Sequence, residues 1–83
     1  MKGIPLYVFV RGDTLGLVVL APEGELVAEL AGRLARAAAA RVKPAGRMRV
    51  LHRGKLLPAQ LSLRDAGVRA LDRVDLVPED HGV

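Results

Sequence analysis

Residues 48–77 read MRVLHRGKLLPAQLSLRDAGVRALDRVDLV, and the spacing within them decides the fold. Met48 to His52 alternates, with Met48 and Val50 on one side and Arg49 and Leu51 on the other, which is the period of a half-buried strand. Arg53-Gly54-Lys55 supplies a tight turn. A short strand follows at Lys55 to Leu57, and Pro58 stops it. Ser62-Leu63-Arg64-Asp65 has the form of a helix-capping sequence, with Gly67 suited to close one short helical turn over 62–67. A last turn at Ala70 to Arg73 leads into a strand over Arg73 to Val77. His52 falls at a strand end with no ligand-spaced neighbour, so a plain surface role is expected for it.

The first half completes the order. Leu6 to Val10 reads as a strand, with Leu6, Val8 and Val10 on one face and Tyr7 and Phe9 on the other. Arg11-Gly12-Asp13-Thr14 is turn chemistry, and Leu15 to Leu20 is a second apolar run, so a hairpin is expected. Ala21-Pro22-Glu23-Gly24 ends it. From about residue 25 to residue 41 the period becomes helical: Leu26, Leu30 and Leu34 share a stripe with Val27, Ala31 and Ala38. Glu23 and Glu25 at the start, with Arg36 and Arg41 towards the end, complement the helix dipole. Glu29 and Arg33 are spaced to pair on its exposed side. Pro44 and Gly46 break the helix.

The element order is strand, strand, helix, strand, short strand, helical turn, strand. That is the order of an α+β, ubiquitin-like β-grasp domain: a mixed sheet of four or five strands packed on one main helix. Length agrees with one domain over residues 1–83, with 78–83 as a polar tail. The chain has no cysteine, which excludes disulfides and thiolate metal sites. No apolar run reaches the ~18 residues a membrane span needs, and the N-terminus lacks a signal-peptide pattern. A cytoplasmic protein is expected. The net charge of +4 is interleaved with nine acidic residues and is a mild signal.

Within the β-grasp group, the residues resemble the small gamma subunit of bacterial toluene-type di-iron monooxygenases. The likeness runs through Ile4-Pro5, Asp13, Leu30-Ala31, Leu34-Ala35, Arg41-Val42 with Pro44, Met48-Arg49-Val50, Leu57-Pro58, Asp65-Ala66-Gly67 with Arg69, and Asp75. It departs at Ala70, around Gly46 and around Gly54-Lys55. The resemblance implies a non-catalytic accessory subunit that binds the large hydroxylase subunit of an aromatic or alkene monooxygenase. It implies no iron ligand or other cofactor in this chain. The ubiquitin-like component of type VII secretion systems is similar at Leu63-Arg64-Asp65-x-Gly67 and Asp72-Arg73-x-Asp75-Leu76, and stands as the alternative.

No catalytic set converges in the sequence. His81 lies in the tail, Glu79-Asp80 are paired carboxylates in the tail, and Ser62 is placed as a cap. The end Asp80-His81-Gly82-Val83 lacks the free Gly-Gly carboxylate that covalent conjugation requires. Arg11-Gly12-Asp13 is a hairpin turn rather than an adhesion signal. Arg47, Arg49, Arg53 and Lys55 form a basic cluster, but nucleic-acid binding on a sheet also wants stacking aromatics. With only Tyr7 and Phe9 present, a nucleic-acid-binding module is the second alternative. The informative feature is the sheet's outward face, which carries Tyr7, Phe9, Leu51 and Val77 where polar residues are expected. Leu15 to Leu20 is apolar on both sides apart from Gly16. Tyr7, Phe9, Leu17, Arg49, Leu51 and Val77 are therefore the candidate partner-binding residues, with Arg49 set to meet a partner carboxylate.

Overall fold

A computed structural model describes residues 3–13, 15–40 and 47–79. They form β1 (Gly3–Val10), β2 (Gly16–Pro22), α1 (Val27–Ala38), β3 (Met48–His52), β4 (Lys55–Leu56) and β5 (Arg73–Pro78). The strands make one sheet in the order β2-β1-β5-β3-β4. β1 and β5 run parallel, and the other neighbours antiparallel. This is the mixed α+β arrangement anticipated from the element order.

One face of the sheet packs on the helix. Leu6, Val8 and Val10 of β1, Val50 of β3, and Val74 and Leu76 of β5 are buried against Val27, Leu30 and Leu34. Leu57, Leu63 and Val68 close the core from the segment between β4 and β5. Each such side chain contributes about 1.5–3 kcal/mol by leaving water, which a chain this short needs. Met48 also faces the helix but stays half-buried.

Several elements begin or end away from their expected positions. Helix α1 starts at Val27, not residue 25, because Leu26 is extended (φ −71°, ψ 146°) and bridges to Ser62. The first helical donors then find loop carbonyls: Val27 N–H donates to Leu61 O (2.8 Å) and Ala28 N–H to Ala59 O (3.0 Å). These bonds satisfy groups that a helix start leaves without partners. Leu26 has no side-chain acceptor, and the Glu29 carboxylate instead accepts the Leu26 N–H at 3.0 Å. The helix ends at Ala38 with Ala39 as its cap, short of the expected Arg41; Arg41, Pro44 and Gly46 lie outside the described residues, as do Thr14, Asp80 and His81.

Strand β1 begins three residues earlier than Leu6 and admits Pro5, whose carbonyl accepts the Leu71 N–H. Strand β2 begins at Gly16, leaving Leu15 outside it, and runs on through Ala21 to Pro22. Strand β4 stops at Leu56, and β5 extends to Pro78, into the region read as tail. The segment 62–67 makes the expected single helical turn, with Ala66 N–H donating to Ser62 O at 2.9 Å, and goes no further. Ser62 Oγ accepts the Asp65 N–H (3.0 Å), and Gly67 closes the turn at φ +83°. The β3–β4 hairpin pairs His52 with Lys55 across Arg53 and Gly54, both left-handed (φ 54° and 79°). That is the geometry of a type I′ turn.

Candidate interaction face

Cross-strand register fixes what the outward face of the sheet carries. Tyr7 stands between Val18 of β2 and Arg73 of β5, and Phe9 between Gly16 and Asp75. Asp75 is next to Leu51, and Val77 next to Arg49. Leu51 in turn meets Leu56.

The middle of this face is charged. The Arg73 guanidinium lies 4.2 Å from the centre of the Phe9 ring and bonds both oxygens of Asp75, at 3.0 and 3.3 Å. The Asp75 carboxylate raises the pKa of Arg73 above its ordinary value. On its other side the Phe9 ring covers Gly16 so closely that a Cβ there would sit 2.8 Å from the ring. Phe9 is thus held between a cation and a glycine, and only part of it reaches solvent. A ring–cation contact of this kind is worth about 0.5–1 kcal/mol.

The apolar exposure is concentrated at the β1–β2 end. Tyr7 is 46% exposed, Leu20 67% and Val18 71%. Leu71, whose N–H donates to Pro5 O, is 62% exposed in a left-handed conformation (φ 69°). A leucine held there carries strain of order 1–2 kcal/mol.

The six residues singled out from the sequence divide accordingly. Tyr7 is exposed, and Phe9, Leu51 and Arg49 are half-buried on the outward side. Leu17 is corrected: it pairs with Val8 on the helix side and packs against the core. Val77 is also corrected. It alternates outward as read, yet is 1% exposed, because β5 is the middle strand and Arg49 lies opposite. Alternation assigns a side, not exposure. Val18, Leu20 and Leu71 were not singled out. The first two could have been found once β2 was phased against Tyr7.

The charged groups also rearrange. Arg33 pairs with Glu25, not Glu29, through two bonds of 2.8 Å. Glu29 is occupied at the helix start, and bonding to Glu25 raises the Arg33 pKa. The basic cluster in and around β3 does not act as one patch. Arg49 Nη2 donates to Leu57 O at 2.9 Å, and its Nε is shielded from solvent with no partner. Arg47 is 3.7 Å from Glu79, and Arg53 is 4.0 Å from Asp72. A groove of about 540 Å³ opens between α1 and β3, floored by Ala31, Gly32 and Ala35 and edged by Met48, Arg49 and Pro58.

His52 is not a surface residue. It is buried, with Nε2 2.9 Å from Asp72 Oδ2. The carboxylate is acceptor-only, so Nε2–H donates. Asp72 also accepts the Arg69 N–H at 3.0 Å. The Arg69 N–H first, then His52, hold the Asp72 carboxyl below its ordinary range against the opposing effect of burial. This pair ties the end of β3 to the loop entering β5. The depression beside it is lined by Leu51, Arg53, Gly54, Arg73 and Asp75. Among the described residues no three His, Asp or Glu side chains converge as a metal-ligand set. No helix among them is long and apolar enough to cross a membrane.

No protein-family model matches the chain, and no curated protein matches it in sequence. Its architecture does have solved counterparts, and they define its class: the chain has the ubiquitin-like β-grasp fold. Among them is a chain of the toluene 4-monooxygenase HD complex with the inhibitor 4-bromobenzoate. It is 23% identical, with a TM-score of 0.85 over 93% of this chain and 99% of that one. The ubiquitin of Caldiarchaeum subterraneum is 16% identical, with a TM-score of 0.77 over 98% and 99%. The ubiquitin-like domain of Plasmodium falciparum Dsk2 is 24% identical, with a TM-score of 0.75 over 90% and 96%. At these identities the likeness is one of fold.

Proposed function

We propose that this chain is a non-catalytic accessory subunit of a bacterial multicomponent di-iron monooxygenase acting on aromatic or alkene hydrocarbons. It works in the cytoplasm by docking on the large hydroxylase subunit, where the di-iron chemistry resides. The observation that carries the reading is the end-to-end likeness to a chain of a toluene monooxygenase complex, with 99% of that chain covered. The sequence likeness through Ile4-Pro5, Met48-Arg49-Val50 and Leu57-Pro58 supports the same reading. The outward face supplies the means: an apolar end at Tyr7, Val18 and Leu20 beside the half-buried Phe9 and Leu51. Tyrosine and arginine next to aliphatic side chains are what protein interfaces favour. The unpaired Nε of Arg49 and its single backbone bond leave that guanidinium able to take a partner carboxylate once the edge of the groove moves.

Co-expression with the large subunit tests the reading. Tyr7→Asp and Leu51→Asp place a carboxylate on the face and should cut co-purification about tenfold or more, or ~1.4 kcal/mol, while the melting transition stays in place. A wild-type chain that fails to retain the large subunit overturns the reading. Undiminished retention by both folded variants removes this face from it.

A further inference from the structure

We infer that β2 is an acceptor edge: docking adds an extended, uncharged strand of the large subunit to this side of the sheet. The inference rests on the docking reading above and assigns the backbone that would make the contact.

Hydrogen-bond phase identifies the bare groups. Tyr7 N–H donates to Asp72 O and Arg11 N–H to Leu76 O, so the odd residues of β1 face β5. The even residues of β1 then bond β2, at Ala21, Val19 and Leu17. Gly16, Val18 and Leu20 consequently aim N–H and C=O groups away from the sheet. Pro22 sits in the same phase, where its missing N–H costs no ladder bond. β2 is the terminal strand of the sheet, and no described strand pairs with its outer side. Seven residues at about 3.3 Å each give an edge of about 23 Å.

The two edges of the sheet are treated differently. β4, at the other margin, is cut to two residues, a common way to blunt an edge. β2 has no such protection: Leu15 to Pro22 contains no charged side chain. Its cover is incomplete on both faces. Val18 and Leu20 are exposed outward, while Leu17 and Val19 stay half-buried although their partners Val8 and Leu6 are fully buried. An added strand would pair the edge and extend cover over both faces together.

Charge selects the occupant. A second copy would bring another net charge of +4 into the complex. A single-strand seam is also far short of the roughly 800 Å² per partner of a standard stable interface. Strand addition suits a larger partner that also covers the adjoining Tyr7–Val18–Leu20 surface. A charged strand would be desolvated here with nothing to pair it, so the added strand is uncharged.

Amide exchange in the free chain and in its complex with the co-expressed large subunit tests this. The amides of Gly16, Val18 and Leu20 should slow about tenfold or more on binding, while those of Leu17, Val19 and Ala21, bonded to β1, are slow in both. Val18→Pro deletes one outward N–H and no β1–β2 bond, and should weaken retention about tenfold. Val18→Thr, which keeps the N–H and alters only the side chain, should lose much less retention than Val18→Pro. A complex that forms while those three amides exchange at the free-chain rate rules out strand addition and leaves docking by the sheet face standing. So does a folded Val18→Pro that binds fully. Failure of the wild-type chain to bind the large subunit overturns both. A discrete soluble dimer of the chain alone that protects the same three amides overturns the choice of occupant.

Discussion

Asp72 and His52 illustrate what single residues decide here. They lie 20 positions apart, with no motif joining them, and the fold closes them to 2.9 Å. Asp72→Asn removes a charged acceptor from His52 and the Arg69 N–H, and should cost about 1–3 kcal/mol at neutral pH. Because folding lowers the Asp72 pKa, its contribution is fully present above the ordinary carboxylate range, near pH 4. It is lost as pH falls from there through the folded value. The wild-type and Asp72→Asn urea midpoints should therefore converge in acid, and a gap that persists far below that range would contradict the assignment. Leu71 gives the opposite sign. Relieving its left-handed strain with Leu71→Asn should raise the stability of the isolated chain by about 0.5–1 kcal/mol, read as a higher Tm. At this scale the sequence was least informative. It placed Tyr7 correctly but exposed Val77 and His52, because burial in a middle strand and a long-range hydrogen bond leave no local trace.

At the level of elements, the alternations over 48–52 and 73–77 and the Leu26-Leu30-Leu34 stripe were legible, since each reports a face committed to one core. Boundaries were less so. Leu26 fits the helical stripe but is drawn into a bridge with Ser62, and a tertiary bond of that kind is invisible to periodicity. Pro22 reads as a strand end until the edge phase shows that its nitrogen faces outward. The β3–β4 hairpin offers a clean test. Arg53 occupies a left-handed position that asparagine and glycine tolerate better, so Arg53→Asn should stabilise the chain by about 0.5–1 kcal/mol. In the helix, Leu30→Ala should cost about 2–5 kcal/mol, as its side chain is fully buried. By contrast, Glu25→Gln at the partly exposed Arg33 pair should cost at most about 1 kcal/mol. Chemical denaturation of the two variants side by side checks that ranking.

Across the molecule, the core is complete on one side of the sheet and the other side is divided. Arg73 and Asp75 neutralise one another at its centre, and the apolar remainder gathers towards β2. A fully greasy outer face, as alternation alone suggests, is not what forms; the exposed hydrophobics collect at one end. The described residues therefore fold around their own core and still present an unfinished border. In a cell, such a border sets a requirement on supply. Copies whose border stays uncovered carry a template on which further chains can pile up without order, the route by which open strands seed insoluble deposits. Produced alone at high level, the chain should partition heavily into the pellet, and Val18→Lys, a gatekeeper charge at the centre of that strand, should return it to the supernatant. On the docking reading, synthesis of the chain and its partner in matched amounts becomes a condition of solubility as well as of assembly.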